Sequence, residues 1–196
     1  MSSELAAAKR QLRRAMAERR LAVTPAVARA AARAVAEHLL ADPRIRAGQR
    51  VALYAALPDE LPTLPLFEAL GALGRPRLLP RILGGEMEFA AVESWEELRP
   101  GFFGVLEPPE ERPAVALAAG DVVVVPGVAF DARGQRLGRG KGYYDRAFSG
   151  ARSALPLLVG TGYEAQVVSA VPHDSRDRSM DAIVTERALR WIPRDT

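Results

Sequence analysis

Apolar positions change their period along this chain, and the changes divide it into elements. Over residues 3–21, Leu5, Leu12 and Met16 fall on one stripe at about 100° per residue, which predicts a helix with Ser2 or Ser3 as its N-cap. Lys9 and Arg13 border that stripe, whereas Arg10, Arg14, Arg19 and Arg20 belong to a solvated basic face. Thr24-Pro25 supplies a cap and a first-turn proline for a second, alanine-rich helix running to about Leu40, before Pro43. "RVALYAAL" (50–57) has the β-branched and aromatic content of a buried strand; "PDELPT" ends it, and Thr63 caps a helix through about Leu73. "RLLPRI" and "MEFAAV" predict two strands around a Gly84-Gly85 turn.

Residues 93–113 are mostly loop, with one short helix after Ser94. Their aromatics, Trp95, Phe102 and Phe103, either close a core beneath the loop or form a ligand lid. The unbroken apolar run in "DVVVVP" (121–126) predicts a strand covered on both faces, hence a parallel sheet between helix layers. "LPLLVGTGYE" (155–164) repeats the pattern, and "DAIVTERALRW" (181–191) predicts a short last strand followed by a terminal helical turn. No repeat or linker divides the chain. The expectation is a single α/β domain over 1–196, three-layered α/β/α with a mainly parallel central sheet, and with an N-terminal helical pair (about 3–41) packed on that core.

Composition narrows the chemistry. With no cysteine, thiol catalysis, disulfides and cysteine-ligated metal are excluded, and two histidines, His38 and His173, are too few for a histidine-rich centre. Any metal should be a hard cation such as Mg²⁺, held by carboxylates and a substrate's phosphates. The formal net charge of +3 is modest and suits an anionic small molecule as well as a nucleic acid. There is no apolar run of about 18 residues and no secretory signal, so a cytoplasmic protein without membrane association is expected. Of 27 basic residues only Lys9 and Lys141 are lysines, either as survivors of a compositional bias or because a compact ammonium was needed there.

Lys141 lies in the most unusual stretch, "RLGRGKGYYDRAF" (136–148). Gly138, Gly140 and Gly142 let backbone N–H groups approach an anion, and Arg139 and Lys141 add charge. The following residues open a helix whose N-terminus favours phosphate. The spacing matches neither a Walker A loop nor GxGxxG, and an ordinary flexible turn remains an alternative. Strand ends of open α/β sheets are where ligands bind, and three carboxylates join the cluster there: Glu60, Asp145 and Asp181. Asp131, as a turn former, and Asp174, as a capping residue, rank lower.

"PGVAFDARGQRLGRGKGYYDR" resembles the signature of 5-formyltetrahydrofolate cyclo-ligases, and "KRQLR", "YAALPDELPT", "GVLEPP" and "MDAIVTE" agree with that family in the expected order. The resemblance implies a sugar-phosphate isomerase/CoA-transferase-like fold. It also implies MgATP-dependent cyclisation of 5-formyltetrahydrofolate, through a phosphorylated formyl group, by a monomer that binds no nucleic acid. Carried over by position, Lys9, Arg10, Gln11, Leu12 and Arg13 fall in the N-terminal ATP segment, and Leu137 through Asp145 (Leu137, Gly138, Arg139, Gly140, Lys141, Gly142, Tyr143, Tyr144, Asp145) in the ATP loop. Arg13, Tyr54, Glu60 and Arg139–Tyr143 fall on the folate side, Lys9, Arg139 and Lys141 become the catalytic cations, and Asp145 with Asp181 the Mg²⁺ ligands. A sugar-phosphate isomerase with Glu60 as general base, and a nucleic-acid module using the arginine-rich first helix, are the competing readings.

Overall fold

The structure, a computed structural model, describes residues 3–150 and 155–193; Ser2, the alternative first cap, lies outside them. Three helices open the chain: α1 (Ser3–Leu21), α2 (Pro25–Ala41) and the single turn α3 (Pro43–Arg46). The Thr24 hydroxyl accepts the Val27 N–H, as the Thr-Pro pair predicted. Strand β1 (Val51–Ala52) and helix α4 (Leu64–Ala72) follow, then a hairpin of β2 (Arg77–Leu83) and β3 (Glu86–Ala91) and a small pair, β4 (Arg99–Pro100) and β5 (Leu106–Glu107). Next come β6 (Val122–Pro126), β7 (Ala129–Asp131), β8 (Arg136–Leu137), α5 (Tyr143–Ala147), β9 (Leu157–Thr161), β10 (Val167–Val168), β11 (Ala182–Val184) and β12 (Leu189–Trp191).

Seven strands form the main sheet in the order β12-β11-β9-β6-β1-β2-β3; its four inner pairings are parallel and its two edge pairings antiparallel. The valine run of β6 lies at the centre, and alternate residues serve opposite layers. Val122 and Val124 pack with Val35, Leu39, Leu66 and Leu70 of α2 and α4, while Val123 and Val125 pack with Phe130, Phe148, Leu158 and Met180. All four valines are at most 1% exposed, each contributing about 1.5–3 kcal/mol by burial. The second layer is thinner than the first, built from short α5 and irregular chain.

Two predicted elements are corrected. Only Val51–Ala52 of the 50–57 segment is paired as strand. Beyond Leu53 the chain turns back on itself, held by the Tyr54 hydroxyl donating to Leu61 O (2.8 Å) and the Thr63 hydroxyl donating to Tyr54 O. Thr63 therefore precedes α4 without capping it through its side chain. Residues 189–191 are not a helical turn but an antiparallel edge strand on β11, anchored by Trp191 Nε1 donating to Asp42 at 2.9 Å.

A three-stranded sheet, β10-β7-β8, emerges from segments the sequence presents as loop, on either side of β9. Helix α1 packs on it through Leu12 and Met16, against Val128, Ala129, Leu137 and Val171. Asp131 is the predicted turn former, its carboxylate accepting the N–H groups of Arg133, Gln135 and Val171. Among the described residues no helix is long and apolar enough to cross a membrane.

Candidate active site

The loop from β8 into α5 separates two cavities. Gly138, Gly140, Lys141, Gly142 and Asp145 line both of them. Gly140 (φ +99°) and Gly142 (φ +70°) lie in the left-handed region, where a side chain would be strained, so the wall between the cavities is bare backbone. Arg13 of α1 fixes that wall: its Nε donates to Gly138 O at 2.9 Å.

The larger cavity, about 920 Å³, is polar and cationic. Seven basic side chains line it (Lys9, Arg10, Arg13, Lys141, Arg146, Arg176 and Arg178), against three acids (Asp145, Asp174 and Asp177). Such a surplus suits a polyanion. Burial lowers the pKa of Arg13, with Asp177 acting in the opposite direction. Lys9 is 7% exposed, and its ammonium lies 2.5 Å from Asp177 Oδ2.

Among the described residues no three His, Asp or Glu side chains converge on a point, so a hard cation here would need ligands from its substrate. The available donors fit that case, since Mg²⁺ is commonly held by one or two carboxylates plus phosphate oxygens. Asp145 receives Arg136 Nη2 (3.0 Å) and the Arg178 N–H (3.1 Å), both on Oδ1. Asp177 receives Lys9 and the Asp174 N–H (2.7 Å), both on Oδ2. Each carboxylate thus keeps one oxygen for a ligand.

Asp181, the other carboxylate expected to hold the metal, lies outside both cavities. It is 5% exposed and accepts the Leu158 N–H at 2.9 Å. The acid of this stretch that lines the cationic cavity is Asp177, four residues earlier, which the sequence pattern did not single out.

The smaller cavity, about 380 Å³, is largely apolar, with walls from Tyr54, Ile82, Met87, Phe102, Phe103 and Tyr143. Trp95 is not part of it; the indole packs edge-on against Phe67 in the core, centroids 5.1 Å apart. Phe102 and Phe103 form a half-exposed pair whose centroids are 4.4 Å apart, and the Lys141 ammonium lies 4.8 Å from the Phe103 ring centre. Phe103 has φ +57°, uncommon for an aromatic residue. Glu107 holds this turn by accepting the N–H groups of Phe102 (3.2 Å) and Ile82 (3.3 Å), and burial raises its pKa. Sequence reasoning missed Glu107, and also Arg136, whose guanidinium joins Asp145 to Pro126 O.

Glu60 and Arg139 meet on this apolar side, Arg139 Nε donating to Glu60 Oε1 at 2.9 Å. Burial draws the Arg139 pKa down, but its hydrogen bonds with Glu60 and Asp59 outweigh that and leave it raised. Arg139, expected on both the ATP and the folate side, lines the apolar cavity and not the cationic one. Tyr143 and Tyr144 likewise line only the apolar cavity. Tyr144 packs toward Phe148, with its hydroxyl pKa raised by burial, and Tyr54, similarly raised, donates its hydroxyl hydrogen bond to Leu61 O. Two members of the N-terminal segment lie away from both cavities. Gln11 is exposed and lines neither cavity, and Leu12 belongs to the apolar contact between α1 and the small sheet.

Comparisons with known proteins identify the family and the fold. The model of the 5-formyltetrahydrofolate cyclo-ligase family matches residues 5–186. The Escherichia coli K12 5-formyltetrahydrofolate cyclo-ligase is 31% identical over 179 residues, covering 89% of this chain and 98% of that protein. The Mycolicibacterium smegmatis protein of the same name is 31% identical over 185 residues, covering 91% and 94%. The solved structure of Aquifex aeolicus 5,10-methenyltetrahydrofolate synthetase superimposes with a TM-score of 0.81 at 33% identity, covering 96% of this chain and 94% of that one. The Mycoplasma pneumoniae synthetase, at 22% identity and a TM-score of 0.72, shares the fold. A polar cationic cavity, an apolar aromatic one and a glycine-lysine wall between them therefore sit on a fold and a sequence that agree along nearly the whole chain: it belongs to the 5-formyltetrahydrofolate cyclo-ligase family.

Proposed function

We propose that this chain converts 5-formyltetrahydrofolate to 5,10-methenyltetrahydrofolate in a MgATP-dependent reaction that releases ADP and phosphate. The observation that carries the reading is the shared wall: Gly138, Gly140, Lys141, Gly142 and Asp145 line a cationic cavity on one side and an aromatic one on the other. A phosphoryl group held by the first is thereby presented to a heterocycle held in the second.

The chemistry requires that juxtaposition. A formyl amide is a poor electrophile and its oxygen a poor leaving group. In the proposed first step the formyl oxygen bonds to the γ-phosphorus while the bridging oxygen leaves with ADP. Nitrogen 10 then bonds to the activated formyl carbon, that nitrogen's proton is lost to solvent, and the carbon–oxygen bond breaks to release phosphate.

Bound Mg²⁺ would supply charge neutralisation to the phosphates, with Asp145 and Asp177 as its protein ligands. Lys9, Arg13 and Lys141 offset the remaining charge and hold the transferring group in line, the main contribution proteins make to phosphoryl transfer. Phe102, Phe103 and Tyr143 exclude water and offer faces for stacking the pterin. Glu60 and Arg139 orient its polar edge.

The test is the wild-type chain with 5-formyltetrahydrofolate, ATP and Mg²⁺, followed by the near-ultraviolet absorbance of methenyltetrahydrofolate. Product should appear only with all three present. No product from the complete mixture, or equal rates without nucleotide, would overturn the reading.

A further inference from the structure

Arg20 departs from the rest of the first helix. Arg10, Arg14 and Arg19 are exposed as the sequence pattern predicts, but Arg20 is only 8% exposed. Its Nε and Nη1 have no hydrogen-bond partner, and burial lowers its pKa, with Asp59 opposing that shift. Placing a guanidinium so deep with two nitrogens unsatisfied is unfavourable. Nothing about the packing of α1 on the small sheet requires it, since Leu12 and Met16 make that contact.

What Arg20 does make is one ion pair, Nη2 to Asp59 Oδ2 at 3.1 Å. The other Asp59 oxygen, Oδ1, receives Arg139 Nη2 at 2.5 Å. Arg139 then donates from Nε to Glu60 Oε1 at 2.9 Å, and Glu60 Oε2 accepts the Leu57 N–H at 3.0 Å. A row of alternating charges therefore runs from the C-terminal turn of α1 to Arg139 and Glu60, which line the apolar cavity. Arg20 and Asp59 line neither cavity.

The row has two physical effects. Arg139 has a long side chain, 40% exposed, and two carboxylates fix its fork at Nε and Nη2, leaving Nη1 for a ligand. With Arg20 present the four side chains sum to no net charge; without it they carry one negative charge beside a site that must accept an anionic folate. We propose that Arg20 and Asp59 are positioning residues for the folate half of the reaction, acting through Arg139 and Glu60. The inference rests on the cyclo-ligase reading above.

The experiment compares Arg20→Met, Asp59→Asn and Arg20→Lys with wild type in the full chain, varying each substrate separately and recording thermal unfolding. Arg20→Met should lower kcat/KM for 5-formyltetrahydrofolate about tenfold or more while KM for MgATP stays within about twofold. Its Tm should be unchanged or higher, because methionine replaces a poorly satisfied buried charge and Asp59 stays solvated and paired with Arg139. Asp59→Asn should show the same kinetic split, and Arg20→Lys, which keeps the charge, should recover most of the loss.

A lowered Tm in Arg20→Met with equal losses on both substrates would overturn the proposal, as would an unchanged kcat/KM for folate. Wild-type turnover decides the activity reading separately. Should wild type be inactive, calorimetric binding of 5-formyltetrahydrofolate decides the present inference alone: about tenfold weaker binding by Arg20→Met supports it, and equal binding overturns it.

Discussion

Replacing Asp177 with asparagine removes a negative charge 2.5 Å from the Lys9 ammonium. The two side chains are 18% and 9% exposed, so the pair is mostly out of water but at the wall of an open cavity. Removing one partner of a fully buried pair costs about 3–5 kcal/mol; with water able to reach this cavity, about half of that, ~2 kcal/mol, is expected. At about 2–4 °C per kcal/mol for a domain of this size, Tm should fall by about 4–8 °C. Loss of one of the two carboxylates proposed to hold the cation would also remove a charge-assisted interaction of about 1.5–3 kcal/mol. At 1.4 kcal/mol per tenfold, KM for MgATP should rise about 10- to 150-fold. Asp181→Asn is the comparison: its oxygen can still accept the Leu158 N–H and its side chain lines neither cavity, so KM for MgATP should not change. The assay is initial rate at saturating folate with MgATP varied, beside calorimetric unfolding of both variants. An unchanged nucleotide KM in Asp177→Asn together with a raised one in Asp181→Asn would refute the assignment.

Phe103→Gly removes a ring that is 58% exposed and relieves a positive φ, so stability should stay within about 1 kcal/mol of wild type, whereas truncating a buried Phe costs about 3–5. Losing a stacking face worth about 1–3 kcal/mol should raise KM for 5-formyltetrahydrofolate about 5- to 150-fold; an unaltered folate KM would remove Phe103 from the site. Away from the site, Glu164 is held below its ordinary pKa of 4.5 chiefly by its hydrogen bonds with Arg190, assisted by Thr185. A carboxyl with a depressed folded-state pKa contributes stability that is present above 4.5 and lost as pH falls through the folded value. Glu164→Gln should therefore be less stable than wild type at neutral pH and converge with it under acid conditions, as read by urea titration; parallel curves down to pH 3 would contradict the linkage.

Local rules carried much of the architecture. Thr24-Pro25, the Gly84-Gly85 turn and the valine run of β6 each specify their conformation within a few residues, and each is found where the pattern puts it. What the pattern could not carry depends on partners distant in the chain. The last strand pairs with β11 and hangs from Asp42, 149 residues away. The small sheet joins 129–131 to 167–168, so its members look like loop until both are folded.

The site shows the same division. The glycine-lysine wall was legible because its conformation demands glycine locally. The place of Asp177 at the cavity was not, because Lys9, which pairs with it, lies 168 residues earlier in the chain. Arg20 looked like its arginine neighbours for the same reason: its burial is set by Asp59 and the surrounding loop, not by its place on the helix.

Helix α1 touches both halves of the reaction through Arg13 on the wall and Arg20 on the row to Glu60, yet its buried side chains are only Lys9, Met16 and Arg20. One methionine and two cations make a weak seal against the body, and segments with few buried apolar contacts open at lower free energy than the core. Fraying of this one element would withdraw Lys9, Arg13 and Arg20 together, and a polyanion in the cationic cavity, held by Lys9 and Arg13, would keep the helix down. Seating of the first helix and occupation of the cationic cavity are then one equilibrium, so the amino-terminal segment is a clasp that an anionic ligand of that cavity would fasten.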